Sequence, residues 1–259
     1  MTASGASRDV ERVAGLRAGL AAVEQRIVQA CADAGRARAE VTLVVVTKFF
    51  PASDVRHLLD LGVYDVGESR AQEALGKLED PLLGQLRERR ASGVAEGAAL
   101  TTHFIGQVQT NKAAAVVGWA DLVHTVDRPK LVRALARAAE SAGNRQSVLV
   151  QVSLEPHGES AAPAERGGVA VGQALELADL VALEPALDLA GVMAVAPRDG
   201  DPGQAFARLA EVSRGLRAVH ADAVIVSAGM SGDLEAAVRH GATHLRVGSA
   251  ILGSRPAVR

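Results

Sequence analysis

A chain of 259 residues with 48% hydrophobic residues can bury a full core, and one barrel of about 250 residues accounts for the length as well as two smaller domains would; no linker separates two domains, so a single domain, residues 1–259, is expected. The net charge of −2 gives no reason to expect a nucleic-acid partner, because such binders carry basic patches, and the single cysteine, Cys31, excludes an intramolecular disulfide and a Cys-rich metal site. Arg8, Glu11, Arg12 and Arg17 interrupt the run a signal peptide would need, and no stretch approaches the roughly 18 apolar residues of a membrane span, so a soluble cytoplasmic protein without membrane partners is expected.

Residues 1–9 read as a flexible tail. From Val10 to about Gly35, the residues Val13, Leu16, Leu20, Val23 and Ile27 recur at helical spacing and predict an amphipathic N-terminal helix. The β-branched run Val41 to Val46 predicts a strand buried on both faces, and Ser53 to Leu59 a helix ended by Gly62. Further strands are expected at Val63–Val66, His103–Ile105, Leu122–Val126, Val148–Val152, Leu187–Val195, Ala223–Val226 and His244–Val247. Helical segments lie between them, around Gln72 to Leu78, Asn111 to Val117, Pro129 to Ala142, Gly172 to Leu183, Gly203 to Val219 and Leu234 to His240. Gly84 to Ala99 and Glu155 to Gly168 lack apolar periodicity and read as exposed irregular segments. Eight β-α units favour an α/β fold in the form of a closed (β/α)8 TIM-type barrel, in which chemistry belongs at the C-terminal strand ends.

Two constellations stand at such ends. Lys48 follows the first strand, where it either snorkels to solvent or acts as a desolvated amine able to form a Schiff base. Ser227 to Asp233 follow the seventh strand, and Arg246-Val247-Gly248-Ser249 close the eighth, the place where barrels often bind phosphate. There Gly229, Gly232 and Gly248 let the backbone approach an anion, and Ser231 and Ser249 offer hydroxyl donors, unless Ser231 only caps the following helix. Met193 and Met230 fit apolar walls, His103 and His124 read as satisfied interior histidines, and Gln107, Gln109, Asn111 and Lys112 either line the mouth or begin a helix.

These segments carry a resemblance. Val44-Val45-Val46-Thr47-Lys48, Val66-Gly67-Glu68-Ser69-Arg70-Ala71-Gln72-Glu73, His103 to Lys112, Gly191 to Val195, Ser227 to Glu235 and Leu245 to Gly253, in this order, resemble the pyridoxal 5'-phosphate (PLP) homeostasis protein family, small barrels related to the N-terminal domain of alanine racemase. The resemblance covers nearly the whole chain. It implies PLP as cofactor, held on Lys48 as an internal aldimine, with Met193, Ser227, Gly229, Met230, Ser231, Arg246, Gly248 and Ser249 around it, no catalytic residue and no metal. It implies a role in intracellular PLP homeostasis, with PLP-dependent apo-enzymes as partners; a monomer is the expected state.

The sequence also departs from the family pattern. Phe50 stands where a second lysine is usual, Ser69 where Asn is usual, Arg166 near a usual lysine and Ser249 where Thr is usual. In the related racemase fold an arginine placed like Arg246 faces the pyridine nitrogen, and a guanidinium that keeps its proton leaves that nitrogen unprotonated and the ring a weak electron sink. An amino-acid racemase needs a second acid/base on the opposite face. Tyr64, the only tyrosine, lies at the wrong end of its strand, and the chain stops soon after the eighth strand. A PLP-dependent racemase is therefore the alternative, and a Schiff-base lyase or aldolase using Lys48 without PLP a third reading.

Overall fold

The computed structural model describes residues 3–91, 99–155 and 167–254, so Arg166 and most of the segment expected to be irregular from Glu155 lie outside the described residues. Eight parallel strands close into a barrel: β1 (Thr42–Val46), β2 (Asp65–Glu68), β3 (Thr101–Phe104), β4 (Leu122–Val126), β5 (Gln146–Ser153), β7 (Leu187–Met193), β8 (Ile225–Ser227) and β9 (His244–Val247). The remaining strand, β6 (Val169–Ala170), pairs only with the end of β5 and extends the sheet outside the ring. Closure runs through β1 and β9, with Val44 opposite Arg246 and Val45 opposite Val247, and through β4 and β5, with Val123 opposite Val148. The expected TIM-type barrel is thus observed, and β1 brings Lys48 beside the strand that ends in Arg246.

Strand starts differ from the sequence reading by one or two residues for identifiable reasons. Val63 donates its N–H to the Leu58 carbonyl as the turn leaving helix α2 (Ala52–Asp60), so β2 begins only at Asp65 and reaches Glu68. Ala223 bonds back to His220 in the same way, which moves β8 to Ile225–Ser227.

The helices bury one face each against the barrel. In α6 (Pro129–Ser141) the residues Leu131, Leu135 and Ala139 recur every four positions, and all are inaccessible. Fully burying a leucine contributes about 1.5–3 kcal/mol, so this stripe anchors the helix. Helices α3 (Ala71–Leu78), α5 (Ala113–Val117), α7 (Ala174–Ala182), α8 (Pro202–Val219) and α9 (Leu234–Arg239) continue the outer layer. The pieces around Gln109 and Lys112 form the 3-10 turn Thr110–Lys112 that leads into α5. Helix α4 (Pro81–Ala91) occupies part of the stretch expected to be irregular from Gly84. Asp80 starts it by accepting the Leu82 N–H, Pro81 suits its first turn, and Leu83 and Leu86 are buried, two positions that the charged run Arg87-Glu88-Arg89-Arg90 in the sequence obscured.

Helix α1 (Ala3–Asp33) reaches back into the expected tail, where Asp9 lies 2.9 Å from His57 Nε2. Its Leu16, Val23 and Ile27 pack into the core, and it crosses the short helix α10 (Ser249–Leu252) at Gly19. A Cβ at Gly19 would stand 2.8 Å from the Ile251 carbonyl oxygen, so only glycine permits this approach. Among the described residues no helix is long and apolar enough to cross a membrane.

Candidate functional site

The C-terminal ends of β1, β7 and β9, with the loop after β8, surround a cavity of about 430 Å3, within the range of small-ligand pockets. Seven of the nine residues expected around a ligand line it: Lys48, Met193, Met230, Ser231, Arg246, Gly248 and Ser249. Gly232 and Phe50 also line it, the latter filling the place of the family's second lysine beneath the Arg12 guanidinium, which is 5.4 Å from its ring.

Lys48 is set by a strained turn. Phe49 has φ 73°, in the left-handed region that a bulky residue occupies only when its surroundings impose it. Those surroundings are polar and local: the Phe49 N–H donates to Glu73 Oε1, and the Arg70 guanidinium lies over the Phe49 ring at 5.3 Å. Buried Lys77 donates to the Thr47 carbonyl at 2.8 Å, to Glu68 Oε1 at 2.5 Å and to Glu73 Oε1 at 3.0 Å. Thr47 Oγ1 donates to Glu68 Oε1 at 2.6 Å. Burial pushes the Glu68 carboxyl above its ordinary value, and the neighbouring Lys77 opposes that shift. The backbone on both sides of Lys48 is therefore clamped by three ionisable side chains, none of which the sequence reading assigned a role. The available signal was the i, i+4 spacing of Glu73 and Lys77 on one helix face.

Ser231 and Ser249 bring their hydroxyls within 3.5 Å of each other at the cavity rim. Ser231 does not cap α9: the cap position belongs to Asp233, whose Oδ1 accepts the Met230 N–H at 2.6 Å. Two arginines of α1 hold this rim from outside. Arg26 donates to the Ser231 carbonyl at 2.9 Å while paired with Glu235, and Arg12 donates to the Leu252 carbonyl at 3.0 Å while paired with Asp54.

Arg246 is 5% exposed, donates to Ser227 Oγ at 2.5 Å and to the Ala194 carbonyl at 2.9 Å, and still lines the cavity. Burial lowers its pKa to about 10, with Asp233 opposing, so it stays protonated at neutral pH. Ser227 and Gly229 do not line the cavity. Ser227 is wholly buried beneath Arg246, a support for the guanidinium instead of a wall of the site. Gly229, with φ 90°, would place a Cβ 2.6 Å from that of Ala237, so the turn and the helix packed behind it account for a glycine here. His103 and His124 are buried and bonded to each other at 3.0 Å, as the reading of satisfied interior histidines requires. Tyr64 precedes β2, away from the mouth.

The described lining combines an amine, a guanidinium and two hydroxyls with apolar walls, and includes no carboxylate, imidazole, phenol or thiol. Such a cavity suits an anionic carbonyl compound and offers a nucleophile to it.

Residues 17–256 match the family described as alanine racemase, N-terminal domain. The pyridoxal phosphate homeostasis protein of Mycobacterium tuberculosis is 41% identical over 254 residues, covering 95% of each chain. That of Escherichia coli K12 is 32% identical, covering 91% of this chain and 95% of the relative. Among solved structures, PipY of Synechococcus elongatus PCC7942 with PLP bound superposes with a TM-score of 0.69 at 26% identity, over 88% of this chain and all of PipY. An alanine racemase of Clostridium difficile 630 shares the fold alone, with a TM-score of 0.68 at 14% identity over 94% of this chain and 57% of the racemase.

Proposed function

The chain belongs to the pyridoxal phosphate homeostasis protein family, and from that membership we propose that it binds PLP covalently on Lys48 and takes part in intracellular PLP homeostasis as a carrier, without substrate turnover. The observation that carries this reading is the convergence of Lys48, Arg246 and the Ser231/Ser249 hydroxyl pair on one cavity whose described lining has no carboxylate. These groups fit PLP: a phosphate has two hydroxyl donors, an aldehyde has a primary amine, and a pyridine has apolar walls from Met193 and Met230.

When bound, PLP supplies an aldehyde for an amine and a ring that withdraws electrons. The chain's own residues hold and orient. Ser231 and Ser249 would donate to the phosphate, and the α1 arginines keep their loops in register. The clamp of Glu68, Glu73 and Lys77 fixes the backbone from which the Lys48 amine extends. Arg246, already a donor to Ser227 and Ala194, would present its guanidinium to the ring and retain its proton. Partners in this reading are PLP and the apo-enzymes that use it; the protein acts as a cytoplasmic monomer.

The test is an absorbance spectrum of the purified protein with added PLP, followed by borohydride reduction and peptide mass analysis. The expected result is a yellow, reducible chromophore with the pyridoxyl mass on the Lys48 peptide. A label chiefly on Lys112 or Lys130 overturns the site, and no chromophore overturns the function.

A further inference from the structure

A line of polar side chains crosses the interior of the barrel, where such folds ordinarily stack apolar layers. Asp65 Oδ1, at the start of β2, is 2.9 Å from His103 Nε2. His103 Nδ1 is 3.0 Å from His124 Nε2, His124 Nδ1 is 2.9 Å from Ser227 Oγ, and Ser227 Oγ is 2.5 Å from Arg246 Nη1. The line thus joins the partly exposed Asp65, at the N-terminal end of the barrel, to a guanidinium at the mouth, through three buried side chains from β3, β4 and β8.

With one proton on each imidazole the carboxylate end fixes every link: it only accepts, so each group between accepts from its neighbour toward the mouth and donates to its neighbour toward Asp65, while the guanidinium, which only donates, closes the other end. Arg246 donates to Ser227, the Ser227 hydroxyl donates to His124 Nδ1, His124 Nε2–H donates to His103 Nδ1, and His103 Nε2–H donates to the carboxylate. In this arrangement each imidazole carries its single proton on Nε2. Burial holds His124 well below the usual histidine value, and the neighbouring His103, Arg246 and His244 push it the same way. His244 flanks the line with its ring 6.1 Å from that of His103, and its Nδ1 is bonded to Thr243 Oγ1 at 2.9 Å, so it is a neighbour of the line and not a link.

We propose that Asp65, His103, His124 and Ser227 are positioning residues that fix the guanidinium of Arg246 from inside the barrel, so that a group at the far end of the fold sets how the cofactor ring is met at the mouth. The assignment of the ring to this mouth rests on the function proposed above; the line itself does not. Buried polar chains of this kind are rigid when every member is satisfied and fail together when one is removed, because the neighbours are left with unpaired donors or acceptors.

The first test uses the protein without cofactor, labelled with 15N in histidine and arginine. His103 and His124 are expected to show neutral rings protonated at Nε2 at neutral pH, and Arg246 to show resolved, slowly exchanging guanidinium protons that broaden in Asp65→Ala and Ser227→Ala. Asp65→Asn, which keeps an acceptor oxygen, should retain them. The second test uses PLP-loaded protein: Asp65→Ala and Ser227→Ala should both release PLP about threefold to tenfold faster and shift its absorption band in the same direction. Rings protonated at Nδ1 or charged overturn the direction of the line, and an unaffected Arg246 in Asp65→Ala overturns the positioning role. Should Asp65→Ala not fold, the wild-type ring nitrogens still decide the direction, and Ser227→Ala beside Asp65→Asn decides the positioning. A protein that takes up no PLP defeats the proposed function while leaving the NMR outcomes to judge the line.

Discussion

The ammonium of Lys77 is 2.8 Å from the carbonyl oxygen of Thr47, the residue that precedes Lys48, so one buried lysine holds the backbone from which another reaches into the cavity. The same ammonium pairs with both Glu68 and Glu73, and Glu73 in turn accepts the Phe49 N–H at the left-handed turn. The conformation around Lys48 is therefore imposed by charge pairing on β2 and α3, not by the local preference of Thr47 to Phe50.

Removing that cation leaves two carboxylates facing each other without a counter-charge. Lys77→Met is expected to destabilise the fold by about 3–5 kcal/mol, the usual cost of breaking a buried ion pair from one side. Glu73→Gln, which keeps an acceptor near the more accessible end, should cost about 1–2 kcal/mol. Urea denaturation of both variants measures the difference. A Lys77→Met change below that of Glu73→Gln contradicts the clamp.

At the rim, the hydroxyls of Ser231 and Ser249 are expected to bind the phosphate of PLP. A hydrogen bond to a charged group is worth about 1.5–3 kcal/mol, so each alanine variant should weaken PLP affinity by about tenfold or more while the covalent link to Lys48 still forms. Equilibrium dialysis of the single and double variants is the measurement. An unchanged affinity in the double variant means that the phosphate lies elsewhere.

The sequence discloses the parts of this site that follow from position along a strand. Lys48 follows the β-branched run Val44 to Thr47, Arg246 and Ser249 fall at the end of the strand His244–Val247, and the pairing of these two strands brings them together. Gly229 was legible only as a glycine in a suggestive loop; whether it faces a ligand or Ala237 depends on the helix packed behind it. The polar clamps were harder still, because Arg26 and Glu235 are 209 residues apart and Arg12 and Asp54 are 42 apart. No periodicity links such pairs. The helix over Pro81–Ala91 was signalled by Asp80-Pro81, but among its residues with described side chains Leu83 and Leu86 alone are buried, too few to give a stripe beside a run of four charged residues in the sequence.

The interior histidines predict a sensitivity to acid. His244 is lowered to about 4, chiefly by burial and then by His103, and His124 is lowered by burial to well below its ordinary 6.5. A base depressed in the folded state contributes stability that is fully present above about pH 6.5 and is lost as the pH falls toward the folded value, because the unfolded chain then binds more protons. For His244 the loss amounts to about 3 kcal/mol between pH 6.5 and 4. Glu68, raised on folding, acts in the opposite sense: its contribution is largest below its ordinary 4.5 and fades as the pH rises. Stability by urea denaturation should therefore fall through this window in the wild type and fall less steeply in His244→Asn. Parallel slopes for the two proteins would remove His244 from the account.

The last prediction concerns turnover: the PLP-loaded protein mixed with L- or D-amino acids should show little racemisation, decarboxylation or transamination above free PLP. Two observations support it. Arg246 keeps its proton to about pH 10, so a ring nitrogen facing it is not protonated and withdraws electrons weakly. The described cavity lining offers Lys48 as a base but no carboxylate, imidazole, phenol or thiol to serve the opposite face of a bound amino acid. A positioned acid or base is worth about 10²–10⁴ in rate, so a one-sided site loses that factor for any reaction that needs proton exchange on both faces. Release of PLP to another protein needs neither group, only exchange at the Lys48 amine and loosening of the Ser231 and Ser249 contacts. The measurement is a chiral amino-acid assay of wild type and Lys48→Ala in parallel, beside transfer of PLP from the loaded protein to an apo-enzyme. Transfer without racemisation is the expected pair of results. Rapid racemisation that vanishes in Lys48→Ala would replace the carrier with an enzyme, and would require that a group outside the described lining reach the open face of the site.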